Sequence, residues 1–194
     1  MDDIDKILLF LQEAEKLNQV ERGNYRTDGK NENVSEHSWH LSLFLMLFED
    51  SIPKDLDFKK MLKMAIIHDL VEIYADDTFL YDEKHNEDKK EREDASMKKI
   101  MSQLPGSIGS KIKDLFYEFE DATTRESKFV NSFDKLQPIV QNLNSKGRGW
   151  KEHNITYDQV DSYKRKHMLH DKFVLELYEK IMKTAKEDYF NKGD

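Results

Sequence analysis

No cysteine occurs anywhere in the 194 residues. Disulfides and thiolate-held metals are therefore excluded, and a reducing, intracellular setting is the simplest fit. Proline is scarce, at three residues, and glycine little commoner, at seven. So few turn formers argue against a sheet protein with many tight reversals and for long helices. No apolar run approaches the roughly 18 residues that a membrane span needs. The first residues, Met1-Asp2-Asp3-Ile4-Asp5, are acidic where a secretory leader would be basic. The expectation is a cytoplasmic protein with no membrane partner. Positive charge is also in deficit: the net charge is −8, which argues against general affinity for nucleic acid, because that affinity comes from Lys and Arg neutralising phosphates.

What is present is charge (36%) and apolar surface (38%) in nearly equal measure, the composition of amphipathic helices. The length suits a single domain, 1–194, able to bury a sizeable core. Helical spacing of Ile4, Ile7, Leu8, Leu11, Ala14 and Leu17 predicts a first helix over 3–19. Residues 20–33 break that spacing and carry Arg22, Tyr25, Arg26 and Lys30, a locally basic loop. Asn33 and Glu36 form a capping box for a second, largely apolar helix with Trp39, Leu41, Phe44, Leu45, Met46, Leu47 and Phe48. A loop over 76–82 and an alternating-charge run from Glu83 to Asp94 read as solvated. Further apolar stripes fall at 97–104 and 108–119. Thr123-Thr124-Arg125-Glu126 reads as a capping box opening a helix at about 124, and Pro138, lacking an N–H for the carbonyl of Asp134, predicts a bend there. Thr156-Tyr157-Asp158-Gln159 is a cap leading to a closing helix over Val174–Met182. The fold class expected is all-α, a bundle of about six to eight helices.

The stretch Met61–Ile73 is the centre of this pattern. Its apolar cover runs almost all the way round, so a continuous helix here is buried, yet it holds His68, Asp69 and Glu72. On a helix these converge on one side, and buried charge costs several kcal/mol unless a partner or a cation answers it. A second His-Asp pair, His170-Asp171, lies in a polar, basic neighbourhood and reads as a helix junction or solvated face.

Glu36-His37-Ser38, then His68-Asp69 31 residues on, then Asp134 65 further, resembles the H…HD…D signature of the HD-domain metal-dependent phosphohydrolases. The set Asn33-Val34-Ser35-Glu36-His37-Ser38, His68-Asp69-x-x-Glu72, Asp77 and Thr124-x-Glu126-x-Lys128-Phe129-Val130-x-x-x-Asp134 is most similar to the HD-domain 5'-deoxynucleotidases. The resemblance covers residues 4–145; a C-terminal helical extension, 156–190, adds generic helix. It implies that His37, His68, Asp69 and Asp134 hold one divalent ion, Mn, Co, Fe or Zn with Mg also admissible, since two imidazoles and two carboxylates suit such ions. It implies catalytic carboxylates at Glu72 and Asp69, a sugar contact at Asp77 and a phosphate contact at Arg22. The family's Trp after that arginine is replaced here by Gly23-Asn24-Tyr25, so Tyr25 takes the nucleoside-enclosing role; Asp76 stands where the family often has Gly. The activity implied is release of phosphate from (deoxy)nucleoside 5'-monophosphates by a homodimer, with a nucleotide as the partner. Hydrolysis of another phosphoester, such as a cyclic nucleotide or a guanosine polyphosphate, and a non-catalytic nucleotide-sensing module remain as alternatives.

Overall fold

The computed structural model describes residues 1–77 and 88–190. Helix α1 (Asp3–Ala14) continues into a 3-10 turn (Glu15–Gln19). Strands β1 (Glu21–Tyr25) and β2 (Asn31–Asn33) follow, then α2 (Val34–Leu47), α3 (Phe58–Ile67) and a single turn, α4 (Glu72–Ala75). Beyond the gap come α5 (Lys89–Gln103), α6 (Gly106–Asp121), α7 (Arg125–Asn144), α8 (Arg148–Glu152), α9 (Tyr157–Lys164) and α10 (Lys172–Ala185). Most of the loop expected over 76–82, and the charged run as far as residue 87, lie outside the described residues. Among the described residues no helix is long and apolar enough to cross a membrane.

Caps follow local chemistry. Asn33 accepts from the Glu36 amide while Glu36 returns the bond to the Asn33 N–H, a complete capping box. Thr156 and Gln159 form another at α9. Thr124 caps α7 through the Ser127 amide, one residue later than the box expected over 123–126, which does not form. Glu126 turns away to accept from the Asp57 N–H at 3.4 Å. Helix α7 runs as one helix through Pro138.

Helix α7 is the post around which the rest assembles, packing against α2, α3, α6 and α10. Phe129, Phe133 and Leu136 are buried on it, each contributing roughly 1.5–3 kcal/mol by leaving water. They belong to an apolar cluster with Leu41, Met61, Met64 and Ala65, and with Met168, Val174, Tyr178 and Met182 from the closing segment. A second cluster joins Phe10, Leu17, Val34, Leu70, Val71 and Ile73 to Met97, Ile100 and Phe116. The chain crosses from one cluster to the other twice near the expected ligands. Along α2, Val34 lies in the second cluster and Leu41 in the first, with His37 between; Ala65 and Leu70 bracket His68 and Asp69 in the same way.

Three expectations are corrected. Residues 20–33 are not a free loop: β1 and β2 pair antiparallel with an irregular register between Glu21 and Tyr25. The central helix is not continuous, because α3 stops at Ile67 and residues 68–71 form a turn before α4. Helix α5 ties down the segment after the break, Ser96 donating to Val71 O, which also accepts from the Tyr74 and Ala75 amides, and Arg92 to Ala75 O at the end of α4. Finally, several apolar residues assigned to buried faces are exposed, including Ile4, Leu8 and Leu11 on α1 and Trp39, Met46 and Leu47 on α2.

Candidate metal and phosphate site

Two imidazoles meet at the seam between the clusters. His37 and His68 are buried, with their Nε2 atoms 3.3 Å apart. Each ring is oriented from behind. Nδ1 of His68 faces the Ala65 carbonyl at 3.0 Å, which only accepts, so the proton sits on Nδ1 and the Nε2 lone pair points inward. For His37 the orientation is fixed one residue further back. Gln137 donates from Nε2 to the Glu32 carboxylate at 2.6 Å and to His40 Nδ1 at 3.0 Å; its Oε1 therefore accepts from His37 Nδ1, at 2.8 Å. Both Nε2 lone pairs are thus aimed at one place.

Two carboxylates share that place. Asp69 Oδ2 lies 3.1 Å from His68 Nε2 and 3.7 Å from His37 Nε2. Asp134 Oδ1 lies 2.9 Å from His37 Nε2 and 3.5 Å from His68 Nε2. The donor atoms of His37, His68 and Asp69 all fall within 4.8 Å of one another, close enough to grip one ion. Four acceptors crowded together out of water repel unless a cation or proton lies among them. Without a cation the site leans on a proton: burial opposes charge on His68, but Asp69 and Asp134 outweigh it and raise its pKa to about 10. Burial likewise opposes charge on Asp134, yet Lys135, with Nζ 2.8 Å from Oδ2, and the two imidazoles hold its pKa well below the usual range. Donor type, lone-pair direction and spacing all fit a divalent ion. The imidazole held from behind by a carbonyl or an amide is the usual support for a metal ligand.

Beside this cluster opens a cavity lined on one side by Arg22, Asp69, Glu72, Asp77 and Asp134 and on another by Pro138, Ile139, Trp150 and Ile155, with Lys89, Lys135 and Lys164 among them. Strand β1 delivers Arg22, whose Nη1 donates to Asp69 Oδ2 at 3.0 Å and Asp77 Oδ1 at 3.2 Å, while its buried Nε has no hydrogen-bond partner. Glu72 is buried at the start of α4 with Oε2 unpartnered. Burial first, and then the Asp69 charge, push its pKa well up. Burial also raises Asp77. Asp76, just before it, has φ 59° and ψ 158°, a backbone region that side chains avoid and glycine enters freely.

Arg22, Glu72 and Asp77 therefore lie together with the four expected ligands, and Tyr25 does not. Its ring sits under the Arg148 guanidinium, 3.9 Å from centroid to carbon, its hydroxyl bonds Glu152, and it is not among the cavity-lining residues. The indole expected from the family pattern just after the arginine comes instead from α8, as Trp150. Its amide reaches Asn142 Oδ1 at 3.3 Å, and its ring packs 4.8 Å from Phe190. Gly149 permits this approach, since a Cβ there would stand 2.8 Å from Asn142 Oδ1. The closing segment, read from sequence as generic helix, thus supplies part of the cavity wall. Sequence reasoning also missed Glu32 and Gln137. The signal for Gln137 was its place one turn beyond Asp134, facing inward beside Pro138.

The chain is matched over residues 14–174 by the family model for the HD domain. It is 31% identical over 139 residues to the 5'-deoxynucleotidase HDDC2 of Xenopus laevis, covering 71% of this chain and 68% of that protein. It is 32% identical over 143 residues to the Dictyostelium discoideum 5'-deoxynucleotidase HDDC2, covering 69% and 74%. Among solved structures, a predicted metal-dependent phosphohydrolase from Magnetospirillum magnetotacticum superposes with a TM-score of 0.87 at 28% identity, over 96% of each chain. A Listeria innocua HD-domain phosphohydrolase, at 18% identity and a TM-score of 0.62 over 93% of each chain, shares the fold.

Proposed function

The chain belongs to the HD-domain family, and from that premise we propose that it is a metal-dependent phosphomonoesterase releasing phosphate from (deoxy)nucleoside 5'-monophosphates. The carrying observation is the convergence of His37 and His68 Nε2 on Asp69 and Asp134 carboxylate oxygens at 2.9–3.7 Å. These four side chains would hold one divalent ion, and the imidazoles favour a transition ion such as Mn, Co, Fe or Zn over Mg. When bound, such an ion supplies Lewis acidity, making water acidic enough to attack near neutral pH and neutralising charge on phosphoryl oxygens.

The chain's own residues supply the rest. With Asp69 engaged as a ligand, Arg22 has guanidinium N–H groups on its Nη atoms to offer the phosphoryl oxygens, while its Nε faces the Glu32 carboxylate at 3.7 Å. Glu72, whose pKa burial and the Asp69 charge raise, is suited to give a proton to the leaving 5'-oxygen as the phosphorus–oxygen bond breaks. Asp77, beside Arg22, accepts from a sugar hydroxyl. Trp150, Ile155, Pro138 and Ile139 offer an apolar surface to the nucleoside and keep water from that side. The chain forms one domain in which Trp150, Ile155 and, from the extension 156–190, Lys164 line the cavity. Homodimer formation is supported by the exposed apolar residues of α1 and α2 and is tested by sedimentation.

Elemental analysis of the purified protein, joined to a phosphate-release screen over nucleoside monophosphates, cyclic nucleotides and guanosine polyphosphates, tests the reading. Release from monophosphates with about one divalent ion per chain is expected. No release from any monophosphate by ion-loaded protein would sink it.

A further inference from the structure

We propose that Lys164, at the end of α9 in the closing segment, is an anion-holding residue of the cavity that engages the phosphoryl group alongside Arg22. The inference rests on the phosphomonoesterase reading and extends it to a residue outside the HD ligand set. Among the described residues four Lys and Arg side chains line the cavity: Arg22, Lys89, Lys135 and Lys164. Three have carboxylates at hand. Arg22 answers Asp69 and Asp77, Lys135 answers Asp134, and Lys89 answers Glu93 at 3.4 Å. Among the described residues Lys164 has no carboxylate within ion-pair distance. Its Nζ makes one hydrogen bond, to the Lys135 carbonyl at 2.9 Å, although the residue is only 6% exposed.

An ammonium brings three donors, so this group has N–H capacity left and faces a space where it can be spent. Burying an unpaired ammonium is costly, and the burial pulls the Lys164 pKa down to about 7, with Lys135 and Arg22 adding to the effect and Asp134 resisting it. The single bond to the Lys135 carbonyl ties α9 to α7 but leaves the ammonium without a counter-charge. A dianion entering between Lys164 and Arg22 supplies the missing counter-charge, and the phosphate monoester is the dianion that the neighbouring ion cluster is built to meet. Free inorganic phosphate, as product, has the same chemistry and takes the same contact.

The test compares wild type with Lys164→Met, which keeps length and volume while removing the charge, and with Lys164→Gln as a second neutral variant. Inorganic phosphate, a deoxynucleoside monophosphate and the corresponding uncharged nucleoside are titrated calorimetrically into ion-loaded protein, with KM and kcat measured in parallel. Loss of a charged hydrogen bond predicts a roughly 10- to 100-fold rise in Kd for phosphate and in KM for the monophosphate. Nucleoside affinity should stay within about twofold, with no loss of melting temperature. Phosphate binding unchanged in whichever neutral variant folds overturns the assignment, as does an equal loss of phosphate and nucleoside affinity, because that would mark a wall residue. Should wild type release no phosphate from monophosphates while the neutral variants still lose phosphate binding, the nucleotidase reading fails and the anion site stands. Should wild type be active with a phosphate affinity independent of position 164, the anion site fails and the nucleotidase reading stands.

Discussion

His68-Asp69 and His170-Asp171 are the same two residues in the same order, and the molecule puts them to different use. His170 sets Nε2 2.7 Å from the Ser132 hydroxyl and its ring 5.0 Å from Phe129. Asp171 caps α10, accepting from the Phe173 and Val174 amides at 2.8 and 3.2 Å. Its acceptor capacity is spent on backbone donors. His68 spends only Nδ1 on the protein and turns Nε2 toward three other acceptor groups. The dipeptide carries little meaning alone. The crowding of two imidazole nitrogens and two carboxylate oxygens on one buried point is what marks the first pair as a place for a cation.

Replacing each aspartate by alanine is the direct way to break that contrast. Asp69→Ala should lose more than about 100-fold in phosphate release, since even partners behind metal ligands contribute 10- to 100-fold. Its bound ion should also fall on elemental analysis. A chelator should lower the melting temperature of wild type and leave Asp69→Ala unmoved. Equal activity losses for Asp69→Ala and Asp171→Ala would show that the two pairs had been wrongly distinguished.

Gln137→Ala sharpens the same point one layer out. It removes the acceptor that fixes the His37 tautomer and leaves Glu32 without its 2.6 Å donor. A 10- to 100-fold fall in ion affinity or activity is expected, read by titrating ion back into stripped protein. Unaltered ion affinity would mean that the ring needs no support from behind.

Asp171→Ala should act on stability alone, costing about 1 kcal/mol through the lost cap and lowering the melting temperature by roughly 2–4 °C. Calorimetry reads the loss, and kcat within twofold of wild type completes the contrast. Smallest is Asp76→Gly. Relief of a side chain held at φ 59° should outweigh the greater freedom of glycine in the unfolded chain and add about 0.5 kcal/mol. A denaturant midpoint at or below that of wild type would contradict the strain.

The helices were legible because their signals are local. Asn33 with Glu36 and Thr156 with Gln159 announce their own caps, and the stripe on α7 follows the helical period. The ligand set was legible as an ordered series of residue types. The hairpin was not, since Glu21–Tyr25 has neither alternation nor β-branched residues, and its pairing carries Arg22 and Glu32 to the site through contacts distant in sequence. The break after Ile67 was hidden by apolar residues on every side, which read as one buried helix; the donors that stabilise it, Ser96 and Arg92, come from α5. Trp150 and Lys164 escaped notice because their meaning is purely spatial.

Gly149 lets α8 lie close against α7, and that closeness divides labour along the chain. The groups proposed for bond breaking are set by β1, α2, the turn at 68–71, α4 and α7, while the apolar face proposed for the organic half of a guest is dressed partly by Trp150 and Ile155. Redecorating Trp150 and Ile155 would alter which guest is welcomed and leave the ion ligands and the Lys164 ammonium in place, so one scaffold can keep its chemistry while changing its clientele.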